Sequence, residues 1–253
     1  MLKKSIVFVT LLSSLSASAD QPLTTDDTVT QGAGGHQFEF AQTHTHEDDG
    51  AGALTKTTTD PLIYTYGVTD ALDVYLAASH ARKNDGIQRT TGHGNPVVGF
   101  KWRFHETDKS WSWGMKSEIQ MGSATAETNG LGNGKDTHAL VLITSRETSF
   151  GEFHVNLSRT HVHTIEGNTN RKHLTRLSAA PVWQVNEQFK LALDLGIQTN
   201  PDSTQSQAMG YGLLGLVYSH DDNLEFVCGA KRQFHDGPLK AKEITAGVTW
   251  RFK

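Results

Sequence analysis

The chain has 253 residues, a net charge of −4 and one cysteine, Cys228. With no run of Lys and Arg, that balance excludes a polyanion-binding surface and so a nucleic-acid partner. A single cysteine excludes an internal disulfide; Cys228 lies too far along the chain for a lipoprotein anchor and reads as a small apolar strand residue.

The N-terminus has the three-part layout of a secretory signal. Lys3 and Lys4 give a positive start, Ile6 to Leu12 a short apolar stretch, and Ala17-Ser18-Ala19 a small-x-small site. The apolar stretch is well under the roughly 20 residues a spanning helix needs. A signal peptide over 1–19 is expected, with the mature chain starting at Asp20. No later stretch approaches a membrane helix, so an exported protein of this kind is secreted, periplasmic or a barrel. Residues 20–35 are expected to lie in the periplasm or to insert into a lumen.

From residue 36 onward the apolar residues recur with period two, the signature of strands with two different faces. Strands are predicted over 36–45, 55–66, 71–82, 96–105, 111–122, 137–147, 150–162, 171–183, 188–199, 208–219, 223–234 and 241–252. The last is the clearest: Ile244, Ala246, Val248, Trp250 and Phe252 share one face. Val98, Phe100, Trp102 and Phe104 share another, as do Phe189, Leu191, Leu193, Leu195 and Ile197. The strand at 171–183 is the least regular, because its charges fall on both faces. Its Pro181 cannot donate to a ladder and is expected near an end.

Short connections, such as 67–70, 106–110, 148–149, 184–187 and 220–222, alternate with longer ones rich in Gly, Asn, Thr and Asp, such as 47–54, 83–95, 123–136 and 200–207. Transmembrane barrels have short periplasmic turns and longer outside loops. Tyr64, Tyr66, Trp102, Phe104, Trp111, Trp113, Phe150, Trp183, Tyr218 and Trp250 gather beside the short turns, as a membrane-interface belt does. The fold expected is all-β: a closed, antiparallel, up-and-down transmembrane β-barrel of about 12 strands over residues 20–253, in the outer membrane.

The polar face then lines the lumen. By parity it carries Glu39, Asp73, Lys101, Arg103, Lys116, Glu118, Lys190, Asp194, Glu225, Lys231 and Arg251. Both signs occur, so they read either as ion-pair ladders that fill a narrow barrel or as a lining that orients a small polar or amphipathic solute.

The 13 histidines include two His-x-His pairs, His44/His46 and His161/His163. On a strand i and i+2 share a face, so each pair presents two imidazoles. A tight site needs more ligands, and nothing in the sequence brings the pairs together. They are read as solvated outer rims, with no metal and no cofactor assigned. His154, Asn156 and Ser158 share one face of a strand, a pattern any barrel produces. There is no Gly-x-Ser-x-Gly elbow, and no enzymatic activity or catalytic residue is expected.

Several segments resemble a family of bacterial outer-membrane "transporter" proteins, the MetA-pathway of phenol degradation family. The resemblance rests on Thr30-Gln31-Gly32-Ala33-Gly34 before Phe38-Glu39-Phe40, and on Tyr66-Gly67-Val68-Thr69-Asp70-Ala71-Leu72-Asp73. Gly99 to Phe104 and Ala246 to Phe252 add to it. It implies an outer-membrane barrel tied to uptake of small, often aromatic compounds, and brings no catalytic residues. Such barrels usually end on an aromatic that the assembly machinery reads; here Lys253 follows Phe252. The expected partners are outer-membrane lipid, a small-molecule solute and the barrel assembly machinery. The expected function is passive passage of small molecules, the alternative a structural or adhesive barrel without transport.

Overall fold

The computed structural model describes residues 21–48, 54–107, 111–163, 170–234 and 240–253. The expected signal peptide over 1–19 and Asp20 lie outside the described residues, as do parts of the connections at 47–54 and 106–110.

Thirteen antiparallel strands form one sheet. The first six are β1 (His36–Asp48), β2 (Leu54–Thr69), β3 (Leu72–Asn84), β4 (Arg89–His93), β5 (Val97–Thr107) and β6 (Trp111–Gln120). After a short helix, α1 (Ala124–Thr128), come β7 (Thr137–Thr148), β8 (Gly151–Val162), β9 (His173–Gln184) and β10 (Phe189–Thr199). β11 (Ala208–Ser219), β12 (Leu224–Phe234) and β13 (Lys240–Phe252) complete the chain. β1 pairs with β13, from His36 opposite Phe252 to Asp48 opposite Lys240, so the sheet closes on itself. β4 pairs only with the outer end of β3. The other twelve strands make the wall, a closed up-and-down barrel with no free edge.

Period two decides which way each side chain faces. On β10, Leu191, Leu195 and Ile197 are exposed, while Ala192 and Asp194 are buried. Exposed Leu, Ile, Val and aromatic residues cover the outside of the wall, and Cys228 is exposed among them. Exposed aromatics gather at the short-turn end: Tyr66, Trp102, Phe104, Trp111, Trp113, Phe150 and Trp250.

Three local features depart from the sequence expectation. The connection at 83–95 contains β4, which folds back on β3 with His93 opposite His80. The connection at 123–136 contains α1, capped by the Ser123 side chain accepting from the Ala126 N–H. Arg171 and Lys172 precede β9 instead of joining it. The Arg171 guanidinium donates to the carbonyls of Asn200 and Gln205 at 2.7 and 3.1 Å, which removes its charge from the strand faces. Pro181 sits inside β9, three residues short of its end. The β9–β10 ladder runs Ala192–Val182 and then Leu195–Ala179, skipping Pro181, which has no N–H to donate.

Candidate functional site

The interior is not an open tube. Residues 21–35 lead into β1 and run against inward-facing side chains of the wall. Thr24, Thr25, Asp26, Asp27 and Thr28 are all buried there.

Each wall of the barrel contributes to holding it. On β10, Asp194 is wholly buried and accepts from the Thr24 and Thr25 N–H groups at 2.6 and 2.8 Å, and from the Thr25 hydroxyl at 2.8 Å. The β11 Tyr211 hydroxyl donates to the same carboxylate at 3.0 Å. From β9, the Ser178 hydroxyl lies 2.8 Å from the Thr25 hydroxyl and Arg176 donates to the Thr24 carbonyl. On the far wall, the Lys116 ammonium of β6 meets Asp26 at 3.3 Å, with both side chains 1% exposed. The Lys101 ammonium of β5 meets Asp27 at 3.2 Å. With its amide oriented to satisfy both groups, β8 Asn156 donates to the Asp26 carbonyl at 2.9 Å and accepts from its N–H at 2.6 Å. Two carboxylates carried into a low-dielectric interior are tolerable only against such opposite charges and donors.

The segment is anchored again where it rejoins the wall. Asp73 accepts from the Gln31 N–H at 3.1 Å, and Asp70 from the Ala33 N–H at 3.0 Å. The Gly34 N–H donates to the Gly67 carbonyl and the Gly67 N–H to the Gly35 carbonyl, each at 2.8 Å. Gly67 has no alternative there, because an added Cβ would overlap the Gly32 carbonyl.

Most of the remaining residues named from the sequence as inward-facing are partnered. Glu118 accepts from the Tyr75 hydroxyl at 2.9 Å and lies 3.6 Å from Lys116. Arg251 pairs with Glu225 at 2.7 Å, and Lys231 with Glu243 at 3.3 Å. Lys190 lies 3.9 Å from Glu152, and Arg103 donates to the Asp70 carbonyl at 3.0 Å. Glu39 is buried, and its Oε2 has no hydrogen-bond partner among the described residues. The structure thus brings Lys101, Lys116, Asp73 and Asp194 together on the inserted segment. Glu225, Lys231 and Arg251 stand apart, in cross-strand pairs.

Sequence reasoning missed the partners on that segment. Asp26 and Asp27, set among three threonines and facing two inward lysines, carried the only signal. It also missed a constellation beside it. His154 Nδ1 lies 2.9 Å from the Ser145 Oγ, and its Nε2 lies 3.3 Å from Glu152. This does not make a nucleophile ready for substrate. The Ser145 Oγ already accepts from the Thr28 N–H at 3.1 Å, and Ser145 and His154 are buried. The trio braces the segment.

The segment divides the lumen. Toward the long loops lies a cavity of about 100 Å³, lined by Asp26, Lys116, Glu118 and Arg176 together with Val97, Ala139, Val141 and Leu174. Toward the short turns lies a larger one of about 510 Å³, lined by Asp27, Lys101, Glu152, Lys190, Glu225 and Arg251.

No family model matches the chain, and no curated protein matches it in sequence. Solved structures match it in fold. An outer membrane channel from Pseudomonas putida F1 superposes with a TM-score of 0.70 at 11% identity, over 89% of this chain and 98% of that one. The NanC porin gives 0.56 at 10% identity, over 83% and 98%. The KdgM porin gives 0.52 at 11% identity, over 84% and 99%. The shared fold is that of outer-membrane β-barrels. The apolar outer face and the closed hydrogen-bond ladder are what hydrocarbon demands, and they place this chain in the outer membrane.

Proposed function

We propose that this barrel is a passive outer-membrane channel for small molecules, kept shut by its own residues 21–35. The observation that carries the proposal is the division of a polar lumen by a tethered segment, with a cavity on each side of it. A barrel filled only for rigidity has no need of two cavities. The segment is held mainly by polar contacts, with one apolar anchor where Leu23 packs against Ala180, Val182, Ala192 and Leu213, so most of what its departure exposes is polar groups that water can satisfy. The fold likeness to an outer membrane channel and to two porins supports the same reading. Passage follows a gradient.

The solute proposed is small and amphipathic, an aromatic acid being the type. The outer cavity offers apolar walls beside Lys116 and Arg176. Its size is on the order of a cavity that takes a single benzene ring, roughly 150 Å³. The resemblance of 30–40, 66–73 and 246–252 to the phenol degradation family points to the same class. Glu118 and Lys116 of β6 line the outer part of the proposed path, and Lys101, Lys190, Glu225 and Arg251 the inner chamber. A structural or adhesive barrel is the second reading, favoured by the number of lumen charges already in ion pairs.

Liposome swelling and single-channel recording separate the two. Deletion of 21–35 should raise single-channel conductance above that of intact protein, and liposomes holding the deleted form should admit phenolic acids faster than sugars of similar size. No conductance from a correctly folded barrel lacking 21–35 would reject the channel.

A further inference from the structure

The histidines at the long-loop end carry a separate inference. His138 lies directly opposite His161 across β7 and β8, and His161 lies directly opposite His173 across β8 and β9. Three imidazoles therefore stand in one row across three strands. His163, two residues beyond His161 on the same face, makes a fourth. The ring centroids of His161 and His163 are 4.5 Å apart, those of His161 and His173 4.7 Å, and those of His138 and His163 5.8 Å.

The row sits on the outside of the barrel at the limit of its apolar band. Leu142, Leu157 and Leu177 form one outward row of the same three strands, all exposed. Leu140, Arg159 and Thr175 form the next, with Arg159 donating to the Thr175 hydroxyl at 3.0 Å. The histidine row follows, roughly 7 Å further out. His138, His163 and His173 are exposed to water there.

We infer that His138, His161, His163 and His173 form a binding site for a divalent transition-metal ion of the zinc type on the outer rim of the barrel. Neutral imidazole is the side chain such ions favour, and no carboxylate is needed. The spacing agrees. The Nδ1 atoms of His161 and His173 are 3.2 Å apart. Two nitrogens bound tetrahedrally at roughly 2.0–2.1 Å from zinc stand about 3.3 Å apart. Among the described residues no three such side chains already converge on one point. The His163 Nδ1 is turned to the Asp136 carbonyl at 2.8 Å, and ring rotation is what brings it to the ion. A strand register that fixes three Cβ positions leaves only side-chain torsions to set, so the ordering cost is small. His44 and His46 lack this arrangement: their cross-strand partners are Thr58 and Ile244 for His44, and Lys56 and Lys242 for His46.

The test is calorimetric titration of untagged, detergent-folded mature protein with Zn²⁺ at neutral pH. His161→Asn, His173→Gln and the double variant His44→Ala/His46→Ala are compared, with folding checked by heat-modifiable migration in SDS. One equivalent of zinc should bind wild type and the His44/His46 variant equally. His161→Asn and His173→Gln should each bind at least about tenfold more weakly, since even the loss of an outer-shell partner costs that much. Absence of zinc binding by wild type, or equal binding by folded His161→Asn and His173→Gln, would overturn the inference. So would loss of binding in the His44/His46 variant.

Discussion

Replacing Lys116 by Met tests the inserted segment directly. Lys116 and Asp26 are each 1% exposed and 3.3 Å apart, and Glu118 lies 3.6 Å from the same ammonium. Methionine keeps the length and removes the charge, leaving two carboxylates facing a buried space. Removing one partner of a buried ion pair costs about 3–5 kcal/mol. Uptake of a proton by Asp26, whose burial already pushes its carboxyl up to about 6 with Lys116 present, lessens that cost near neutral pH; what remains can be met in two ways. The barrel can lose stability with the segment in place, or residues 21–35 can withdraw and take Asp26 to water. A hydrogen bond to a charged group is worth about 1.5–3 kcal/mol, so no single contact at Asp194 offsets the loss. A shift of about 3 kcal/mol changes the ratio of inserted to withdrawn segment by about a hundredfold. The expected result is longer open times in planar bilayers and faster proteolysis near residues 21–35. Adding Asp26→Asn removes the stranded charge, so the double variant should recover most of the closed behaviour. Unchanged conductance and thermal stability in Lys116→Met would refute the reasoning. A double variant no better than the single one would refute it too.

Four further outcomes are expected. Asp194→Ala strands the Thr24 and Thr25 N–H groups; each unsatisfied donor costs about 1–3 kcal/mol, and amide exchange at both should accelerate in hydrogen-exchange measurements. Gly67→Ala forces a Cβ against the Gly32 carbonyl and should release the second anchor, raising conductance while Gly86→Ala does not. Leu214 is 60% exposed on the outer face, and Leu214→Arg should cost about 2–4 kcal/mol of folding free energy if it lies near the bilayer midplane, read by urea titration into lipid vesicles. A tag in 123–136 should be reached by antibody on intact cells and one in 67–70 should not; the reverse would invert the orientation.

Strand existence, facing and order were legible in the sequence because period two is local. The rows Leu191–Ile197 and Ile244–Phe252 each state their own exposed face, and a closed barrel joins neighbours in chain order, so local pattern and global topology coincide. β4 and α1 were not legible. β4 is five residues that exist as a strand because β3 runs on beyond the wall. The α1 connection is held by Asn95, whose side chain donates to the Met121 and Asn133 carbonyls. The inward residues were legible as a face, and their partners were not. Thr25 meets Asp194 across 169 residues and Lys101 meets Asp27 across 74, separations that no window of sequence contains. The same holds for the histidines. His161-x-His163 is visible in the chain, but His138 and His173 join it only because the β7–β8 and β8–β9 registers place them opposite, and register belongs to the closed sheet. Sequence alone determined a membrane barrel and, along its regular strands, which residues share a face. Tertiary structure alone decided that the lumen is divided and which charges meet inside it.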